Sequence, residues 1–348
     1  MSNEIIINNK PCELMKPYKN PKYGTRNILT DSTWEYVALF LKRRKTAGSA
    51  DALFYWKQAQ CFYQASKALP DSASPLNSYY CILNASKALL RYHNIGEENL
   101  TNHGLSSVRN SEEINLKKSE TAIKGAGVLI ELSKYFESNL QPQHYCIYDL
   151  LYNIPCVHRA FCITYSKPEI FIPISNPKFV KNKDSKVWIS FIVQDRYASS
   201  KILASLPTKF EKDQSDTDKC VIRMKKRFKW DIHTDIEERK RLLCNYHQNA
   251  RKYLYYIHST SKLWYIKRVV STNNNHLQDI SSAVLIFAVF HWLSELVRYQ
   301  PKIFNKYMSS KQNWLLHEFI NKALDQFVDE ISSEITGEDT MCTGFRKM

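Results

Sequence analysis

Glycine is scarce, with 8 residues in a chain of 348. That shortage excludes a glycine-rich loop cradling phosphate, and it weighs against an all-β fold built from many tight turns. No Cys-x-x-Cys pair occurs among the 9 cysteines, and the closest two, Cys156 and Cys162, have five residues between them. Such a set suits neither a zinc knuckle nor a disulfide framework. The expectation is free, mostly buried thiols in a reducing compartment, and with it a cytoplasmic protein. No close cluster of His, Asp and Glu suggests a metal, and no serine or cysteine sits in a nucleophile elbow. Neither a metal nor a cofactor is expected. Long hydrophobic runs are missing as well. The longest, Ala283 to Val297, is broken by His291 and Glu295, falls short of the roughly 20 residues of a bilayer span, and reads as one buried core helix. The opening MSNEIIINNKPCELMK lacks the basic-then-apolar order of a signal peptide, so no membrane partner is expected.

The pattern that is present predicts an α+β chain in blocks. Residues 1–30, rich in Asn, Lys and Pro, read as an extended lead-in. Residues 31–166 read as helical, starting from the Asp31-Ser32-Thr33 cap cluster, with a second helix from Asp51 to Leu69 stopped by Pro70. A third helix follows, with Ser74 as cap and Pro75 at its first turn. Residues 122–136 read as a strand running through Gly125 and Gly127 into a helix. Residues 167–272 form a β-rich block: PEIFIPI, VWISFIV, KCVIRMKKRFKW and KLWYIKRVV are short, β-branched or aromatic. Between them the polar stretch Phe210 to Lys219 reads as a linker, and one helix is expected from about Asp235 to His258. Residues 273–336 return to helices that pack on the first block, and 337–348 read as a flexible tail.

Charge concentrates in the β-rich block. The chain carries 49 Lys and Arg against 34 Asp and Glu, a formal +15. Between Lys178 and Arg268 stand 22 Lys and Arg against 10 Asp and Glu. If Arg223 to Trp230 is one strand, Arg223, Lys225, Arg227 and Lys229 share a face. A cationic strand beside aromatics is the form of a polyanion-binding surface; it is equally the form of a solvated edge that resists pairing. The helix from Asp235 continues the theme with Arg239, Lys240 and Arg241. Arg241 with His247, or Arg251 with His258, would pair a phosphate-holding cation with an acid or base.

The helix from Ser74 carries Asn77, Asn84, Lys87 and Arg91 on one sector, either as a solvated stripe or as a surface for phosphates and bases. His103 follows in a loop made permissive by Gly104 and is a further candidate for proton chemistry.

The segments QAQCFYQASKALP, SPLNSYYCILNASKALL and NHGL, with YDLLYNIP and FHWLSELVRYQP further on, resemble the bacterial YaaC-like family. The match runs from about Phe54 to the last helix, and that family carries no reaction to transfer. The YYxxLNxxKALL helix with its following His-Gly also resembles HEPN domains. These are antiparallel helix bundles that recur in bacterial toxins and antiviral systems, often as ribonucleases. Arg109-Asn110 lacks the following histidine of the active pattern. The resemblance implies a HEPN-like helical bundle with the basic block inserted between its N- and C-terminal helices. The functional expectation is a nucleic-acid-associated binding or sensor component of a bacterial antiviral or stress-response system, with RNA or DNA as partner. The alternatives are a metal-independent HEPN-type ribonuclease and a structural subunit docking an acidic protein.

Overall fold

Local signals decide where the elements begin. In the computed structural model, which describes residues 3–106, 108, 113–214, 218–259, 262–269 and 277–342, Ser32 stands in extended backbone. Its hydroxyl accepts the Glu35 N–H at 3.3 Å and opens the helix Thr33–Arg43. The helix Ala47–Ala68 stops before Pro70. The helix Ser74–Tyr92 starts one residue earlier than expected, with Ala73 in the cap position and Ser74 already helical. The chain divides into two compact units: Thr30–Glu169 with Asn274–Thr336, and Met1–Leu29 with Ile170–Asn273 and Gly337–Met348.

In the first, mainly helical unit, Ser74–Tyr92 packs against Ala47–Ala68, Val128–Tyr135, Ser282–Tyr299 and Asn313–Thr336. Its fully buried positions Ser78, Cys81, Ala85, Ser86 and Ala88 are small, so neighbouring backbones approach closely. The Ser78 and Ser86 hydroxyls donate back to the carbonyls of Ser74 and Ile82 at 3.0 and 2.8 Å, which spares the core unsatisfied donors. Ser282–Tyr299 is long and apolar enough to cross a membrane, yet 78% of it is buried inside the protein. Leu285, Ile286, Phe287, Val289, Phe290 and Leu293 are each at most 1% exposed, and each contributes about 1.5–3 kcal/mol relative to exposure. A three-stranded antiparallel sheet of Leu105–Ser106, Glu120–Ile123 and His144–Cys146 also belongs to this unit.

The second unit is an antiparallel sheet over a helix. Its strands run in the order Phe210–Lys212, Cys220–Met224, Lys186–Val193, Phe171–Lys181, Leu263–Lys267, Leu254–Ile257. Asn3–Glu4 and Phe228–Lys229 add to it. The helix Ile236–Arg251 sends Leu243, Tyr246, His247 and Ala250 inward.

Three expectations need correction here. The helix from Asp235 ends at Arg251, because Leu254–Ile257 is aromatic and β-branched and pairs with Leu263–Lys267. The supposed linker begins with an edge strand, Phe210–Lys212, held by Cys220–Met224; residues 215–217 lie outside the described residues. The tail is not free at its start: Thr340–Cys342 is a strand, Asp339 is 1% exposed, and its carbonyl accepts the Ile28 N–H at 2.9 Å. The lead-in is likewise built into the sheet unit, with Ile5, Ile7, Cys12, Leu14 and Tyr23 in its core.

Candidate functional site

The continuous cationic strand does not form. Cys220–Met224 and Phe228–Lys229 are separate strands on Lys186–Val193, with a bend at 225 and a register shift between them. Arg223 donates to Glu211 at 2.9 Å and to Asp213 at 3.2 Å. Arg227 lies 4.9 Å from the Trp188 ring centroid. Lys229 pairs with Asp231 at 3.0 Å, while Lys225 is exposed. On the helix, Arg239 rests 5.4 Å from Trp230, and Lys240 and Arg241 pair with Glu237 and Glu238, both at 2.7 Å. Acidic neighbours thus cancel much of the charge that the residue count suggests. A cavity of about 560 Å³ beside Lys22, Lys240 and Arg241 has the same character: all three cations already face carboxylates, Lys22 through Glu338.

Neither proposed Arg–His pair assembles. His247 is fully buried, and its Nε2–H donates to the Pro17 carbonyl at 2.7 Å while Nδ1 accepts the Tyr23 hydroxyl at 2.7 Å. Burial pushes its pKa down to about 3. Arg241, six residues earlier, points about 120° away around the helix. Arg251 donates to the carbonyls of Leu254 and Lys16 and rests 5.2 Å from Trp264. A whole strand, Leu254–Ile257, separates it from His258. These are framework groups of the sheet unit.

In the helical unit the stripe on Ser74–Tyr92 is tied to its surroundings. Asn84 donates to the Tyr80 carbonyl at 2.8 Å. Lys87 lies 5.4 Å from the Tyr55 ring, and partial burial lowers its pKa. Arg91 donates to Glu97 at 2.7 Å. None of the three reaches the pocket that His103 lines. Arg109 and Asn110 lie outside the described residues.

His103 does stand in a site. It lines an open cavity of about 640 Å³ together with Lys124, His291, Glu295, Arg298, Tyr299 and Gln300, a volume within the range of small-ligand pockets. Three pieces of chain bring these groups together. The loop at 102–105 and the turn at 124–128 are knit back to back. Lys124 N–H donates to the Gly104 carbonyl at 3.0 Å, Val128 N–H to Asn102 at 2.8 Å, and Leu129 N–H to His103 at 3.1 Å. Gly104 and Gly127 make this approach possible: a Cβ on Gly127 would sit 2.4 Å from the Gly104 nitrogen. The third piece is the helix Ser282–Tyr299, where His291, Glu295 and Arg298 recur at four- and three-residue steps along one face.

The two imidazole rings lie 5.1 Å apart, centroid to centroid, and tilted by 33°. The buried Tyr79 ring packs edge-on to both, 6.4 Å from His103 and 5.5 Å from His291. Leu105 N–H donates to His103 Nδ1 at 3.2 Å, which fixes the neutral Nε2–H tautomer and leaves Nε2–H as donor. His103 has its pKa lowered by burial and then by the Lys124 charge. Burial, reinforced by His103, pushes His291 down to about 3, and its buried Nδ1 has no hydrogen-bond partner. At neutral pH the pocket therefore presents two uncharged imidazoles flanked by the cations of Lys124 and Arg298 and the carboxylate of Glu295. Lys124 is exposed and makes no ion pair among the described residues. No group of three metal-ligating side chains occurs among the described residues. The chemistry on offer is hydrogen-bond donation and fixed positive charge toward an anion, with imidazole nitrogens for proton transfer.

His103 was legible from the sequence; Lys124, His291, Glu295, Arg298, Tyr299 and Gln300 were missed as site residues. The available signal was the spacing of His291, Glu295 and Arg298, three polar groups on one face of the most apolar helix.

No curated protein and no solved structure matches this chain. The sequence profile of the YaaC-like protein family matches residues 16–335, which takes in both arms of the helical unit and the sheet between them. The chain belongs to the YaaC-like protein family.

Proposed function

We propose that this protein is a nucleic-acid-associated binding or sensor component of a bacterial stress-response or antiviral system, and that the pocket at His103 and His291 takes a phosphate of that nucleic acid. The observation that carries the reading is the paired imidazoles opening onto the same cavity as Lys124 and Arg298. The neutral His103 Nε2–H donor and the fixed cations suit a phosphodiester, which needs hydrogen bonds without a deep charge well. The chain's excess of positive charge supports a polyanionic partner. The resemblance of Ser74–Tyr92 and its following His-Gly to HEPN domains supports the bacterial context.

Metal-independent RNA cleavage is the second reading, favoured by the same imidazole pair. A neutral imidazole beside a phosphodiester accepts the 2′-hydroxyl proton, and a neighbouring cation stabilises the developing oxyanion. His103 Nδ1 is already engaged by Leu105, so binding stands ahead of catalysis.

The test is the affinity of single-stranded RNA and DNA for wild type and for the double variant Lys124→Ala/Arg298→Ala, measured across salt. Wild type binds at about 50 mM salt, and affinity falls as salt rises. The double variant loses about tenfold or more and shows a shallower salt slope. No binding by wild type at low salt, or equal binding by the variant, overturns the proposal. Following the RNA over time with a chelator present decides the second reading: cleavage that persists with chelator and disappears in His291→Ala supports it, and intact RNA rejects it.

A further inference from the structure

We infer that the pocket selects a nucleotide with an unstacked base, Tyr299 supplying the stacking platform and Gln300 the hydrogen-bond acceptor for an exocyclic amine. This rests on the phosphate reading of the same pocket and adds what sits beside the phosphate.

Tyr299 is the last residue of the helix that carries His291 and Arg298, lines the same cavity, and is 64% exposed. A large aromatic side chain open to water at the rim of a polar pocket lacks a packing role. Its orientation is set nonetheless: Arg298 Nη1 donates to the Tyr299 hydroxyl at 3.0 Å, and the guanidinium carbon lies 5.1 Å from the ring centroid. One cation thus serves two purposes. It faces the anion site, and it steadies a ring on which a base stacks. A base still stacked and paired in a duplex is not available to that ring.

Gln300 follows directly and also lines the cavity. Its side-chain oxygen is buried and has no hydrogen-bond partner. An orphaned buried acceptor calls for a donor, and adenine, cytosine and guanine each supply one as an exocyclic amine. Uracil offers only its ring N3–H, set between two carbonyl oxygens that repel an acceptor, and is the poorer partner. The position beyond Gln300 is closed to continued helix geometry by Pro301, which opens the next helix, Pro301–Met308. That break holds Tyr299 and Gln300 at a corner facing the pocket mouth.

The experiment is fluorescence anisotropy with labelled oligo(A), oligo(C) and oligo(U) of equal length and with an RNA duplex. The proteins are full-length wild type, Tyr299→Ala, Gln300→Leu and Lys124→Ala. Thermal melts establish that each variant is folded. Wild type is expected to bind oligo(A) and oligo(C) several-fold more tightly than oligo(U), and all three more tightly than duplex. Tyr299→Ala is expected to weaken every single strand about tenfold. Gln300→Leu is expected to erase the preference against oligo(U) and leave oligo(U) affinity near wild type. If Lys124→Ala loses binding while Tyr299→Ala and Gln300→Leu match wild type, the base reading is overturned and the phosphate reading stands. If Lys124→Ala also matches wild type, both fall. Duplex bound as tightly as single strands rejects the stacking platform on its own.

Discussion

Gly127→Ala is the sharpest structural test of how the pocket is held. Gly127 has φ of +127°, a conformation that residues with a Cβ rarely adopt. An added Cβ would lie 2.4 Å from the Gly104 nitrogen, 2.5 Å from its Cα and 2.9 Å from the Asn102 oxygen. All three are backbone atoms, so relief requires the loop at 102–105 to retreat from the turn at 124–128. The retreat breaks hydrogen bonds of 2.8 to 3.1 Å that fix His103 and Lys124 relative to each other. Backbone strain of about 1–3 kcal/mol adds to overpacking of about 1–3 kcal/mol. At roughly 2–4 °C per kcal/mol for a unit of this size, the melting temperature drops by roughly 4–24 °C. Gly125→Ala is the control, because a Cβ there meets only Pro142 Cγ at 4.0 Å. Calorimetry on both variants, with RNA affinity measured below the transition, reads the effect. Gly127→Ala melting within a degree of wild type, or Gly125→Ala falling equally, refutes the reasoning.

Other consequences can be measured in the same way. His247 and His291 are held neutral with pKa values near 3, whereas in the unfolded chain both protonate below about 6.5. Stability is therefore unaffected above pH 6.5. It falls as pH drops below that value, by at most about 1.4 kcal/mol per pH unit for each histidine, until the folded values near 3 are reached. Urea denaturation from pH 7.5 to 4.5 measures the slope, and His247→Gln makes it shallower; a flat profile contradicts the burial argument. Arg251→Met removes the guanidinium donor to the Leu254 and Lys16 carbonyls. It lowers sheet-unit stability by about 2–3 kcal/mol in urea while RNA affinity per folded molecule stays unchanged, whereas lost affinity in a stable variant returns Arg251 to the site. Asp339→Ala removes the 2.8 Å acceptor of the Lys16 N–H from a position 1% exposed. It costs about 1.5–3 kcal/mol, and an unchanged urea midpoint refutes a structural role for the chain beyond Gly337.

Caps, stops and apolar runs carried the fold into the sequence. Ser32 before Thr33, Pro70 after Leu69 and the long apolar run from Ala283 are local signals, and the elements they mark depend little on distant chain. Alternation located the strands Phe171–Lys181, Lys186–Val193 and Leu263–Lys267 for the same reason. Errors arose where partners decide. Arg223 to Trp230 alternates like one strand, but Lys186–Val193 pairs with its two ends in different registers and interrupts the strand between them. Leu254–Ile257 was absorbed into the helix before it, and only its pairing with Leu263–Lys267 reveals a strand. The basic residues in that block are visible in the sequence; their pairing with Glu211, Asp213, Glu237 and Glu238 is visible only in the fold. The pocket was legible only at His103. Lys124 arrives through a glycine–glycine contact, and His291, Glu295 and Arg298 through a helix far along the chain, so no local window holds the constellation. The interruptions at His291 and Glu295 deny a bilayer span, and the face they share with Arg298 is the clue to the pocket.

The imidazole resonances of His103 test the central claim most directly. In ¹⁵N-labelled protein titrated over pH, a saturating short single-stranded RNA should raise the His103 pKa, because an anion beside an imidazole favours its charged form. The response should vanish in Lys124→Ala/Arg298→Ala and leave His247 untouched. His103 resonances that titrate identically with and without RNA contradict a phosphate in this pocket.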